Sequence, residues 1–219
     1  MVLDCSVLQN SSPPRKRGRA RRLGSGDAIL NAAAGLFLEK GYQATSMDEI
    51  AAEAKVSKQT IYTHFAGKED LFADLVLANA GRVEEFVGLI GPALDGVESL
   101  EVRLRRLART YLGFISRPDS LRLRRLIIGE ATRFPDLARE YYDRVPGRVY
   151  EALAAAFRQT LKVEDPTQAA RDFAWLTVGL TLDRGMFHTL EDAATSSELD
   201  RLAASAVRVF MAAYATVGS

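Results

Sequence analysis

The sequence SMDEIAAEAKVSKQTIYTHF, residues 46–65, is the most informative part of the chain for its N-terminal fold. Ser46 followed by Glu49 forms an S-x-x-E capping box, which predicts the start of one helix. Ser57 is a suitable N-cap for a second helix, since a serine hydroxyl accepts a hydrogen bond from a first-turn amide. The two predicted helices cover residues 47–54 and 58–65. Short helices with so tight a joint indicate a helix-turn-helix, whose second helix enters the major groove of DNA.

Helical spacing continues on both sides of this stretch. Ile29, Ala32, Ala33, Leu36 and Phe37 form one apolar stripe of an earlier helix, and Gly41 predicts its left-handed C-terminal cap. A new helix begins near Lys68, and the prolines at 118, 135 and 166 suit the first turns of later helices. We therefore predict an all-α protein with three parts. They are a disordered basic arm (1–22), a three-helix helix-turn-helix domain (23–78) and a larger helical domain (79–219) for effector binding and dimerisation.

Composition excludes several classes of protein. The 219 residues are 47% hydrophobic and 26% charged, which is typical of a folded domain. A single cysteine, Cys5, excludes internal disulfides, and two histidines leave little material for a metal site or a serine-type triad. Uncharged stretches such as 173–182 and 209–219 are shorter than the roughly 20 residues that cross a bilayer. We expect no metal, no cofactor, no membrane partner and a cytoplasmic location.

The net charge of +1 conceals an asymmetry between the arm and the rest of the chain. The arm is net +5, because Asp4 is outnumbered by Arg15, Lys16, Arg17, Arg19, Arg21 and Arg22. Such a segment repels itself and buries nothing, so it stays disordered alone. Two interpretations remain open: a solubilising terminus, or an arm in which Arg17, Arg19, Arg21 and Arg22 follow phosphates or a minor groove.

The predicted helix-turn-helix domain, 23–78, is net −4, yet its segment from Ala54 to Lys68 contains no acid. That strip carries Lys55, Lys58 and Lys68. Because DNA is a polyanion, an acid-free strip on the second helix of an acidic domain indicates a docking surface for phosphate.

Side-chain types on this strip suit contacts with DNA. Lys58, Gln59 and Tyr62 can project from one side of the helix, where Lys reads guanine and Gln reads adenine. Phosphate contacts are predicted for a second set: Thr45, Ser46, Lys55, Ser57, Thr60, His64 and Lys68. Other interpretations stay open, because the two serines could act only as caps, Tyr62 could be packing and His64 could be an ordinary surface residue.

The run from Ile29 to Phe72 resembles the headpiece of the TetR/AcrR family of transcriptional regulators. The resemblance is carried by Ala44-Thr45-Ser46-Met47, Ile50-Ala51, Val56-Ser57-Lys58, Thr60-Ile61-Tyr62, His64-Phe65 and Lys68-Glu69. It implies an all-helical homodimer that represses a promoter and releases it on binding a small molecule. It also implies DNA contacts at Thr45, Ser46, Lys58, Gln59, Thr60, Tyr62, His64 and Lys68. Lys55 departs from the family, since many members place Gly there; a positive φ at this residue costs about 1 kcal/mol.

The last two helices are the predicted dimer interface. Phe173–Leu182 is apolar on every side, which predicts a helix buried on both faces. The last helix carries an apolar stripe made of Leu199, Leu202, Ala203, Ala206, Val209, Phe210 and Ala213. Two such helices can pack against their own copies as a four-helix interface. The alternative is that both simply complete the core of one protomer.

An effector pocket is predicted among the middle helices, with Tyr111, Phe114, Phe134, Trp175 and Phe187 as walls and His188 as a polar contact. The function that the sequence favours is a ligand-responsive repressor that binds a palindromic DNA operator. Two alternatives are a small helical enzyme, suggested only by Gly24-Ser25-Gly26, and an architectural DNA-binding protein without an effector.

Overall fold

The computed structural model describes residues 20–78, 80–187 and 195–214. These residues form helices joined by short loops, and they contain no strand, as predicted. The first helices are α1 (Ala20–Ala44), α2 (Met47–Glu53), α3 (Lys58–His64), α4 (Lys68–Ala78) and α5 (Ala80–Leu94). They are followed by α6 (Leu100–Ile115), α7 (Pro118–Glu130), α8 (Pro135–Tyr142), a π turn (Asp143–Gly147) and α9 (Arg148–Thr160). The last helices are α10 (Pro166–Met186) and α11 (Ser196–Tyr214).

The chain divides into two compact units. Unit 1 contains the residues up to Gly81 together with Leu126–Ala138, and unit 2 contains Arg82–Arg125 and the residues from Arg139 onward. The inclusion of 126–138 in unit 1 differs from the predicted boundary, which assigns everything after residue 78 to the second domain.

Unit 1 is built on the apolar stripe of α1. Ile29, Ala33 and Phe37 are buried there, and Ile50 of α2 and Ile61 of α3 are buried with them. Gly41 interrupts α1 with a φ of 82° and a ψ of 166°. The positive φ agrees with the predicted need for glycine, although this ψ is not that of a left-handed cap.

Helix α1 begins at Ala20 and so includes Arg21 and Arg22, which the sequence assigns to a disordered arm. The predicted arm is therefore shortened by three residues. Arg17 and Arg19 lie outside the described residues, and so do the side chains of Arg21 and Arg22.

The segment 126–138 adds an aromatic side chain to unit 1. The Phe134 ring lies 5.1 Å from the Tyr42 ring and 5.5 Å from the Phe72 ring, centroid to centroid. Phe134, a predicted wall of the effector pocket, thus packs among the aromatic residues of the helix-turn-helix unit and not beside the other predicted pocket residues of unit 2.

Unit 2 has an aromatic core. Its α6 packs on α11, and its α9 packs on α10. The rings of Phe157, Phe173 and Phe210 contact one another at centroid distances of 5.2–5.5 Å. Rings in such edge-on and tilted arrangements stabilise a core beyond the apolar area that they bury.

Helix α10 is buried on one face only. Phe173, Ala174 and Val178 lie in the core, whereas Trp175 is 54% exposed and Leu180 is 56% exposed. The prediction of burial on both faces does not hold within one protomer. An all-round apolar pattern cannot distinguish a core from a face that a second chain covers.

The predicted apolar stripe of α11 is likewise only partly buried within one protomer. Ala203, Ala206 and Phe210 are buried inside unit 2, while Val209 and Ala213 are exposed. Ala206 is therefore already buried within one protomer, before any second chain covers it.

Candidate DNA-binding interface

Local hydrogen bonds fix the two helices of the helix-turn-helix. The Ser46 hydroxyl accepts from the Glu49 amide at 3.2 Å, and the Glu49 carboxylate accepts from the Ser46 amide at 2.9 Å, which completes the predicted capping box. At the start of α3 the Ser57 hydroxyl accepts from the Thr60 amide at 3.1 Å. Its oxygen also lies 2.8 Å from Oγ1 of Thr60. Ser46 and Ser57 therefore cap the starts of α2 and α3 whatever else they contact, and the Thr60 hydroxyl contacts the second cap.

One side of α3 is open. Ile61 is fully buried beneath it, while Lys58, Gln59 and Tyr62 are exposed, and half of the Tyr62 side chain is accessible. The structure thus brings the three predicted base-contact residues to one exposed side. Tyr62 is not a packing residue in unit 1.

An acidic residue from outside the segment 54–68 lies next to it in the structure. Asp48, in the first turn of α2, places its carboxylate oxygens 2.9 and 3.1 Å from Nζ of Lys58. This hydrogen bond raises the pKa of Lys58 above its ordinary value. Sequence reasoning missed Asp48, because a contact across ten residues and a turn follows no helical periodicity.

Thr45 and Lys68, two predicted phosphate contacts, make hydrogen bonds inside unit 1. Thr45 is buried, and its hydroxyl donates to the carbonyl of Gly41 at 2.9 Å. The Lys68 ammonium donates to the carbonyl of Thr45 at 2.6 Å and lies 4.4 Å from the centroid of the Tyr42 ring. Burial lowers the pKa of Lys68. The Lys68 ammonium thus ties α4 to the end of α1, and its predicted contact with a DNA phosphate stays a prediction.

His64 lies at the end of α3 against the start of α1. Its Nε2 is 2.9 Å from the Ser25 hydroxyl, and its ring is half-buried. The contact places the last turn of α3 beside the helix into which the basic arm leads.

Lys55 occupies the turn with a φ of 55°, the only positive φ among the non-glycine residues that the structure describes. Its side chain is exposed. The lysines at 40, 58 and 68 all have partners, with Glu49 at 2.8 Å from Lys40. Within the described part of unit 1, Lys55 is the lysine whose ammonium has none, which leaves it available to a phosphate.

The predicted effector residues do not converge. Tyr111 and Phe114 stack on Phe86 at 4.7 and 5.5 Å inside unit 2, whereas Phe187 is 73% exposed. Trp175 is half exposed, as described above, and His188 lies outside the described residues. Burial raises the pKa of Tyr111, as expected for a hydroxyl held in a packed core.

No helix in the described part of the chain is both long and apolar enough to cross a membrane.

Comparisons with known proteins agree with this geometry. The description "Bacterial regulatory proteins, tetR family" matches residues 29–75, and "AefR-like transcriptional repressor, C-terminal domain" matches residues 102–216. Among solved structures, a TetR-family transcriptional regulator of Mesorhizobium loti MAFF303099 is 34% identical, with a TM-score of 0.79 over 88% of this chain and 97% of that one. The flavonoid-responsive regulator FrrA is 32% identical, with a TM-score of 0.66 over 87% of this chain and 96% of that one.

Curated relatives are helix-turn-helix regulators. The regulator Rv1255c of Mycobacterium tuberculosis is 30% identical over 156 residues, which are 71% of this chain and 72% of the relative. YdeS of Bacillus subtilis is 49% identical over 65 residues, and this chain covers 33% of its length; for FasR of Mycolicibacterium smegmatis that share is 38%. The chain thus spans about a third of the length of the first curated relatives that it matches. The two family descriptions together reach from residue 29 to 216, and the chain belongs to the TetR family of bacterial transcriptional regulators.

Proposed function

We propose that this protein is a homodimeric repressor that binds a palindromic operator in the cytoplasm and leaves it when a small apolar or amphipathic effector binds. The observation that carries the proposal is the open side of α3, where Lys58, Gln59 and Tyr62 are exposed together. A helix with this exposed polar side can read base edges in the major groove, which is about 12 Å wide.

Dimer formation is supported by the outer face of α10 and α11. Trp175, Leu176, Leu180 and Val209 are large apolar residues that one protomer leaves exposed. A symmetric dimer would bury this face against its own copy. Each protomer would then present one α3 to one half-site of the operator.

Repression and effector control are supported by the relatives. The description that matches residues 102–216 is that of a transcriptional repressor domain, and FrrA is named as flavonoid-responsive. The aromatic interior of unit 2, with Phe86, Tyr111 and Phe114 stacked, is a suitable environment for an aromatic or amphipathic ligand once the helices separate.

Tyr62→Ala and Lys58→Ala test the proposal. Each should weaken binding to a selected operator by about 1–3 kcal/mol with unchanged thermal stability, because both side chains are exposed. Tyr142→Ala and Lys162→Ala are the matched controls, since these residues are exposed in unit 2. Equal operator affinity of all four variants and the wild type would remove α3 from the proposed interface.

A further inference from the structure

The ion pair between Asp48 and Lys58 joins the first turn of α2 to the first residue of α3. Both carboxylate oxygens of Asp48 lie within 3.1 Å of the Lys58 ammonium, and both side chains are exposed. The pair therefore lies on the open side that α3 offers to DNA, and not in the core of unit 1.

Capping of α2 does not account for this aspartate. Glu49 and Ser46 already complete the capping box of α2. Within the described residues, the Asp48 carboxylate accepts no backbone hydrogen bond, and its partner is Lys58. An acid in a first turn interacts favourably with the helix dipole, but that effect requires no contact with α3.

Lys58, in turn, occupies an unfavourable position for a cation. It is the first residue of α3, where the positive end of the helix dipole repels an ammonium. An anion in front of this helix start relieves the repulsion. The Asp48 carboxylate supplies that anion from within the chain, and a DNA phosphate or a guanine O6/N7 edge would supply equivalent acceptors.

We propose that Asp48 competes with DNA for Lys58 and so limits the affinity of the protein for DNA. This inference rests on the proposed contact of Lys58 with DNA. Lys58 exchanges one acceptor for another when the complex forms, and the energy of the broken ion pair is subtracted from the new contact. Asp48 is a positioning residue, since it acts through Lys58.

The test is Asp48→Asn, which removes the charge and keeps the shape. The probes are a duplex that the wild type selects from a random library and a random-sequence duplex of equal length. Exposed ion pairs have coupling energies that correspond to about 1.4- to fivefold in affinity, so selected-duplex binding should tighten by about that factor per protomer. Asp48→Glu, which restores the charge, should bind like the wild type.

Two controls separate this competition from a general decrease in negative charge. Glu53→Gln removes an exposed acid of α2 that has no ion pair in the described structure, and it should tighten binding less. In a Lys58→Ala background, Asp48→Asn should tighten binding no more than Glu53→Gln does. The inference is overturned if Asp48→Asn tightens DNA binding as much in the Lys58→Ala background as in the wild type. It is also overturned if Asp48→Asn in the wild type tightens binding no more than Glu53→Gln does.

A purely structural role for Asp48 makes the opposite prediction. Asp48→Asn would then lower the thermal stability and weaken binding to both duplexes, which also overturns the inference. Failure of the proposed function gives a different result from failure of this inference. If the proposed function is wrong, Lys58→Ala alone leaves binding to the selected duplex unchanged. If Lys58→Ala weakens binding but the two substitutions act independently, the contact of Lys58 stands and the competition by Asp48 does not.

Discussion

The turn after α2 holds Lys55 in a conformation that glycine adopts more readily. The Val56 amide donates to the carbonyl of Ala51 at 3.0 Å, and the Lys55 amide donates to that of Ala52 at 3.2 Å. These two hydrogen bonds form a Schellman motif, which requires a left-handed residue immediately after the C-cap, Ala54. Lys55 occupies that position with its φ of 55°.

The substitution Lys55→Gly should therefore stabilise the protein. A left-handed backbone costs a residue with a Cβ about 1–2 kcal/mol. Glycine avoids this strain but loses more backbone entropy on folding, which offsets about 0.5–1 kcal/mol. We expect a net increase of about 0.5–1 kcal/mol in the free energy of unfolding.

Urea denaturation followed by circular dichroism measures this difference. The midpoint of Lys55→Gly should rise with an unchanged slope, which indicates that the surface exposed on unfolding is the same. Lys55→Ala is the matched control, because it also removes the ammonium but retains the Cβ and its strain. The reasoning is refuted if Lys55→Gly is no more stable than Lys55→Ala.

Binding to DNA separates the charge of Lys55 from its backbone. Both variants lack the same ammonium, so each should reduce the slope of log affinity against log salt by about 0.9 for each phosphate that the ammonium neutralises in the wild-type complex. A slope that falls for one variant only would show that the backbone of the turn, and not the charge, governs binding.

Three further predictions concern other parts of the molecule. The Glu49 carboxyl, with a pKa of about 2 because Lys40 and Ser46 donate to it, should show that value in an NMR titration. Because this pKa is lower than the 4.5 of the unfolded chain, the ionised Glu49 carboxylate stabilises the fold above about pH 4.5, and this stabilisation is lost as the pH falls through about 2. Glu49→Gln should abolish this dependence of stability on pH. Leu180→Arg should give a folded monomer in analytical ultracentrifugation, whereas Leu89→Arg, at a similarly exposed leucine of α5, should remain a dimer. Deletion of residues 1–19 should flatten the salt dependence for operator and random DNA alike; identical slopes before and after deletion would mean that the arm does not contact phosphate.

Local signals in the sequence predicted the helix ends well. The capping box of Ser46 and Glu49 and the N-cap at Ser57 each depend on neighbours within a few residues. Such short-range chemistry is independent of the rest of the fold, which is why a single sequence reveals it.

Interactions between distant residues could not be predicted in this way. Lys68 finds its carbonyl acceptor at Thr45, 23 residues earlier, and a cation at a helix start indicates a phosphate site equally well. Phe134 joins the aromatic residues of unit 1 from a segment more than 50 residues after α4 begins. The exposed face of α10 could not be predicted either. Apolar patterning indicates that Trp175 is buried, but it does not indicate whether its own chain or another chain covers it.

Selection of operators from a random DNA library tests whether a symmetric dimer reads DNA with the exposed side of α3. The wild-type protein should enrich two inverted half-sites whose centres are separated by about 10–10.5 base pairs or a multiple of that spacing. Tyr62→Ala should lose preference at the same base position in both half-sites, because each protomer presents one α3. Enrichment of a single asymmetric site, or an identical operator selected by Tyr62→Ala, would contradict the claim that a symmetric dimer reads DNA with the exposed side of α3.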